Sequence, residues 1–140
     1  MKSKTRAQER RVLRWAASLS PSELIVTSKK GLRGQELISI QKESHFSNEE
    51  WSRYLQVTPR TIQRYQKSKS VDPVSSERAL LMAQIVERGF EVFGSEEKFK
   101  MWFYSPSFAL GDIAPTDLLD TTTGMNMVMA ELGRIDYGVY

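Results

Sequence analysis

Two helix starts stand eleven residues apart in "FSNEEWSRYLQVTPRTIQRYQKS", residues 46–68, and no other feature constrains the fold as tightly. Ser47 followed by Glu50 is a capping box, in which each side chain satisfies a backbone N–H at a helix start. Thr58 followed by Pro59 is a second start, with an N-cap hydroxyl and a proline where a helix tolerates one. The two helices are short, and only a tight turn near Gln56–Val57 separates them. Trp51, Leu55, Val57, Ile62 and Tyr65 are spaced to pack one helix across the other.

That packing turns Arg60, Thr61, Gln63, Arg64 and Lys67 outward on the second helix. Arginine donates two hydrogen bonds to guanine, and glutamine makes a matching pair with adenine in the major groove. Thr58 sits where free backbone N–H groups and the helix dipole favour a phosphate. A helical hairpin with a solvated charged face is the plainer reading of any one of these features. The capping box, the turn and the basic face together favour DNA binding.

The flanking segments are also helical. Val12, Leu13, Trp15, Ala16 and Leu19 run beside Arg6, Arg10 and Arg14, which recur every fourth residue along one helix face. This basic N-terminal helix either contacts the DNA backbone or covers the core, and the second is preferred. "SPSELIVTSKKGLRG", residues 20–34, contains breakers and is expected to be a short helical turn or loop. A helix is expected from Gln35, with Leu37, Ile38 and Ile40 on its buried side.

Residues 75–93 form a helix that is apolar on more than one side, carrying Leu80, Leu81, Met82, Ile85, Val86, Phe90, Val92 and Phe93. Its second side needs either the N-terminal helix or a dimer partner, with Leu81, Ile85 and Phe90 as the candidate dimer contacts. A short helix carrying Phe99, Trp102 and Phe103 follows, then a helix start at Pro115. Met125, Val128, Met129, Leu132 and Ile135 line one face of a final helix. Strand-like alternation is absent, so the expected fold class is all-α. The expected organisation is a basic helical extension over 1–33, a helix-turn-helix over 34–70, a dimerisation helix over 71–94 and a C-terminal domain over 95–140.

A net charge of +3 conceals an asymmetry. Residues 1–70 hold 15 Lys and Arg against 6 Asp and Glu, whereas residues 71–140 hold 5 against 11. The first half therefore suits a polyanion, and the second half suits an electropositive partner. There is no cysteine, which excludes disulfides, thiolate metal sites and cysteine nucleophiles. His45 is the single histidine and stands in an expected loop, so neither a metal site nor a catalytic triad is supported. Met125, Met127 and Met129 at helical spacing read as core or as an adaptable binding surface. Trp102, Phe103 and Tyr104 read as core. The N-terminus lacks an apolar signal segment, and no run approaches a membrane span, so the expected location is the cytoplasm. No acid–base or nucleophile constellation is present, so an enzyme is not expected and no cofactor is implied.

Residues 51–62 resemble the Xre-type, lambda-repressor-like helix-turn-helix. Trp51, Ser52, Leu55, Val57, Thr58, Thr61 and Ile62 occupy its pattern positions, and Gln56 stands where the family has glycine. Further along, the chain carries Ser76-Glu77-Arg78, Phe93-Gly94, Trp102, Ala109-Leu110-Gly111, Pro115, Leu118-Leu119, Thr121, Gly124, Val128, Leu132, Arg134 and Gly138. In this order they resemble the C-terminal domain of the Xre/MbcA/ParS antitoxins, with Asp112 to Pro115 departing from the usual Gly-Lys/Arg-Thr-Pro.

The resemblance implies a lambda-repressor-like helix-turn-helix followed by a helical dimerisation and toxin-binding domain. It implies a homodimeric antitoxin that neutralises a RES-domain toxin, which consumes NAD or transfers its ADP-ribose, and that represses its own promoter. The implied toxin contacts lie in the last turn and tail: Arg134, Asp136, Tyr137, Gly138, Val139 and Tyr140. From the residues alone this tail either folds back on its own domain or is presented outward past Gly138. The alternative function is a plain Xre-like dimeric repressor with no toxin partner.

Overall fold

Helix starts in this chain are set by side chains, and the structure uses them wherever they occur. The computed structural model describes residues 9–138. Among the described residues there are eight α-helices: α1 Arg11–Ser18, α2 Pro21–Lys30, α3 Gly34–Ser44, α4 Asn48–Leu55, α5 Pro59–Gln66, α6 Pro73–Phe93, α7 Glu96–Phe103 and α8 Thr122–Asp136. Two 3₁₀ turns, Phe108–Leu110 and Pro115–Leu118, precede α8. The described residues hold no strand, only one isolated antiparallel bridge between Ser107 and Ile113. The all-α expectation is met.

Ser47 and Glu50 cap α4 reciprocally, and Thr58 caps α5 with Pro59 at its first position. Ser20–Glu23 forms a second capping box, and this corrects the extent of one expectation. Residues 21–30 are a full ten-residue helix, longer than the short helical turn or loop expected there. The breakers that suggested a loop lie at the boundaries: Pro21 is the first helical residue and Gly31, at φ +92°, is the C-cap.

The chain divides into two compact units, one through Gln84 and one from Ile85. In the first unit Leu13, Ala16, Leu32, Leu37, Ile40, Trp51, Tyr54, Ile62 and Leu80 are fully buried. Helix α1 belongs to this core. The Glu43 carboxylate on α3 accepts the N–H groups of Val12 and Leu13, both at 2.9 Å, and so caps α1 from thirty residues away. Gln84 donates to the Ala16 carbonyl at its other end. Arg6, one of the three arginines of the basic face, lies outside the described residues.

In the second unit the rings of Phe90, Phe93, Phe99, Trp102 and Phe103 pack together at centroid separations of 5.0–6.4 Å. Tyr104 departs from the expected core: it touches the edge of Phe103 but is 45% exposed. Helix α8 buries Met125, Val128 and Leu132, with Met129 half-buried, whereas Met127 faces solvent. At Gly124 the first turn of α8 lies against the Leu118 carbonyl so closely that any Cβ would overlap it. Only glycine fits there, which fixes the 3₁₀ turn against the last helix.

Candidate functional site

The turn between α4 and α5 closes through Gln56, which adopts the left-handed conformation at φ +57°. Its side-chain amide donates to the Arg53 carbonyl at 2.7 Å, and Ser52 donates its hydroxyl to the Val57 carbonyl. A buried arginine, Arg78, donates to the Tyr54 carbonyl at 2.8 Å, placing a cation at the negative end of α4. Trp51 and Tyr54 stack edge-on at 6.0 Å beneath the turn.

Helix α5 is held at both ends. Its far end is fixed by two side chains. Gln66 donates to Gln41 at 2.7 Å, and Gln41 in turn donates to Asn48. The Tyr65 hydroxyl donates to Asp72, which caps α6 by accepting the N–H of Ser75. Burial pushes the Asp72 carboxyl up, but hydrogen bonds from Tyr65, Ser75 and Val74 outweigh it and hold the group below its usual range. Burial and the Asp72 partner push the Tyr65 phenol above its usual value.

The face left outward carries the residues read from the sequence. Thr58, Arg60, Gln63, Arg64 and Lys67 are exposed and Thr61 is half-exposed. The side chains of Arg60, Gln63 and Lys67 have no hydrogen bond or ion pair to any described residue. Thr58 is already engaged, accepting the Thr61 N–H at 3.1 Å and meeting the Thr61 hydroxyl at 3.0 Å. Arg64 lies 5.6 Å over the Tyr65 ring, a cation–π contact that leaves its guanidinium at the surface. One short helix and its C-cap residue thus present two arginines, a glutamine and a lysine around a rigid start, a set of side chains able to donate to base edges and to phosphates.

The second unit has a different surface. Residues 107–113 form a closed loop in which Ser107 and Ile113 bridge, with Ser107 N–H to the Ile113 carbonyl at 3.1 Å and Asp112 N–H to the Ser107 carbonyl at 2.9 Å. Gly111 and Asp112 are consecutively left-handed, at φ +79° and +61°. Leu110 and Ala114 are buried, and Phe108 is 90% exposed. The loop is fixed, and it displays a phenylalanine to solvent. Sequence reasoning missed Phe108, although a phenylalanine between Pro106 and Gly111 was the available signal.

The tail residues separate. Arg134 pairs with Glu131 at 2.7 Å and Asp136 with Arg88 at 2.9 Å, so both are engaged within their own unit. Tyr137 is 83% exposed, and Gly138 is in the left-handed region at φ +72°. Val139 and Tyr140 lie outside the described residues. Of the expected dimer contacts, Ile85 and Phe90 are covered within the chain and Leu81 is half-exposed. Burial of the first two means that they are not presented to a partner.

Residues 23–84 match the antitoxin Xre-like helix-turn-helix domain, and residues 88–138 match the antitoxin Xre/MbcA/ParS C-terminal toxin-binding domain. The chain belongs to the Xre/MbcA/ParS antitoxin family. The break between the two matches coincides with the division between the two compact units. An "Antitoxin Xre" of Yersinia enterocolitica is 32% identical over 69 residues, 49% of this chain and 47% of that protein. An "Antitoxin Xre" of Photorhabdus laumondii is 31% identical over 65 residues, 46% of this chain and 44% of that protein. The chain thus spans about half the length of these two relatives. A "Prs ADP-ribosylating antitoxin" of a Sphingobium species is 29% identical over 133 residues, 86% of this chain and 82% of that protein. These Xre/MbcA/ParS families are antitoxins and regulators, not enzymes. No described helix is long and apolar enough to cross a membrane, and no described cluster of three His, Asp or Glu could hold a metal ion.

Proposed function

We propose that this protein is the antitoxin of a toxin–antitoxin pair, binding its toxin through the second unit and its own promoter through the first. The observation that carries the reading is the joining, in one chain, of an outward polar recognition face on α5 to a unit that matches a toxin-binding domain. The toxin partner is a RES-domain protein that consumes NAD or transfers its ADP-ribose. The name of the Sphingobium relative, "Prs ADP-ribosylating antitoxin", supports this choice. So does charge: residues 85–140 hold 9 Asp and Glu against 4 Lys and Arg, which suits a cleft built for the phosphates of NAD.

In this reading Tyr137 and the residues after Gly138 enter that cleft, while Phe108 anchors the rest of the interface. Aromatic side chains fixed in advance lose little entropy on docking and are favoured as interface anchors. Two copies of the chain bind DNA together, the α6 region supplying the contact between them through its half-exposed face that includes Leu81. The decisive experiment is growth rescue on co-expression with a RES-domain toxin. Deleting Gly138 to Tyr140 is expected to abolish rescue while leaving promoter binding intact. Full rescue by the truncated chain would overturn the role given to the tail. For the DNA half, Arg64→Ala with Lys67→Ala is expected to weaken binding to the upstream region, and unchanged affinity would overturn the use of α5.

A further inference from the structure

The recognition helix is followed by a segment that no sequence pattern marked as functional. Residues 68–71 run alongside residues 30–34, between α2 and α3. The Gly34 N–H donates to the Ser68 carbonyl at 2.9 Å, the Val71 N–H to the Leu32 carbonyl at 2.7 Å, and the Ser70 hydroxyl to the Lys30 carbonyl at 3.1 Å. The contact is tight: a Cβ on Gly31 would overlap Ser70 and the Val71 carbonyl, and one on Gly34 would overlap the carbonyls of Tyr65 and Gln66. The end of α2 and the chain leaving α5 are therefore one rigid piece.

This piece gathers positive charge from two distant stretches. Lys29, Lys30 and Arg33 come from one side of the pairing, and Lys67 and Lys69 from the other. All five are exposed, and neither stretch, 29–34 or 66–71, contains an acidic residue. Arg33 is partly occupied by Glu36 at 3.5 Å. Lys29 and Lys30 suit the negative end of α2, but Lys69 stands on no helix, so helix-dipole compensation does not explain the cluster. We infer that Lys29, Lys30 and Lys69 form a phosphate-backbone clamp on duplex DNA, continuous with the far end of the recognition helix and independent of base sequence. Cations on a rigid scaffold next to a groove-reading helix set register on the duplex without reading bases.

The inference rests on the proposed DNA binding by α5, and the test separates the two. The variant carries Lys29→Gln, Lys30→Gln and Lys69→Gln, which keep helix propensity and touch no packed atom. Binding is measured by fluorescence anisotropy on the upstream region and on a random duplex of about 30 base pairs, between roughly 50 and 200 mM salt. Loss of three phosphate contacts should reduce the slope of log affinity against log salt by about 2 to 3 and weaken both duplexes alike. A control with Lys98→Gln and Lys100→Gln lowers net charge in the second unit and should leave the slope in place. An unchanged slope in the triple variant, with the wild-type chain binding normally, overturns the clamp and leaves recognition by α5 standing. Absence of salt-dependent binding by the wild-type chain overturns both.

Discussion

The Tyr65 hydroxyl, on the last turn of α5, donates to the carboxylate of Asp72, whose second oxygen caps α6 through the Ser75 N–H. One acidic side chain thus orients α5 and starts the longest of the described helices.

This pair should be visible in the pH dependence of stability. The Asp72 carboxyl is held below its usual range, so its contribution is complete above its unfolded value of about 4 and is lost as pH falls through the lower folded value. The Tyr65 phenol is raised, so its contribution is complete below about pH 10 and is lost as pH rises through the higher folded value. Asp72→Ala should cost about 1 kcal/mol at neutral pH, as loss of an N-cap does, and should flatten the acid limb. Urea unfolding at several pH values measures both effects, and an acid limb unaltered in the variant would remove Asp72 from this role.

At Gly124 there is no room for a methyl group. Gly124→Ala drives a Cβ into the Leu118 carbonyl, a backbone atom that cannot rotate away. The expected cost is about 3 kcal/mol, at the upper end for overpacking. Denaturant midpoints should show it, and a midpoint within error of wild type would contradict the close approach.

The turn of the helix-turn-helix carries a correctable strain. A non-glycine residue in the left-handed region costs about 1 kcal/mol or more, and Gln56 recovers part of it through its bond to Arg53. Gln56→Gly is therefore expected to stabilise the first unit by about 0.5 kcal/mol. Thermal unfolding decides the sign.

Phe108 makes a prediction in which folding and binding diverge. With its ring almost fully in water, Phe108→Ser should alter stability by less than about 0.5 kcal/mol. If the ring anchors the toxin, the same change should weaken capture by about 30-fold, as loss of a 2 kcal/mol hot spot would. Titration calorimetry of the variant against the toxin measures this, and equal affinity would place the anchor elsewhere.

The parts legible in the sequence were those governed by local rules. Capping at Ser47 and Thr58, the turn at Gln56, and the core face of α8 from Met125 to Leu132 follow from neighbours within four residues. What stayed hidden depends on distant partners. Glu43 caps α1 across thirty residues, Gln41 joins α5 to α4, and Lys30 meets Lys69's neighbour Ser70 only after folding. Helix α2 exceeds the short helical turn or loop that the sequence suggests for another reason: Pro21 and Gly31 read as interruptions, whereas they stand at its two ends. The burial of Ile85 and Phe90 shows the same limit, since an apolar face does not reveal whether its cover comes from its own chain.

Along α5 the duties alternate. Ile62, Tyr65 and Gln66 hold the helix in place, while Arg60 and Gln63 are exposed and Arg64 rests on the outer side of Tyr65. Under the proposed use of α5, a substitution at an outward position changes which base edges are matched at almost no cost in stability. On that reading operator preference is free to drift between related chains, one outward residue at a time, while the architecture that presents it stays still.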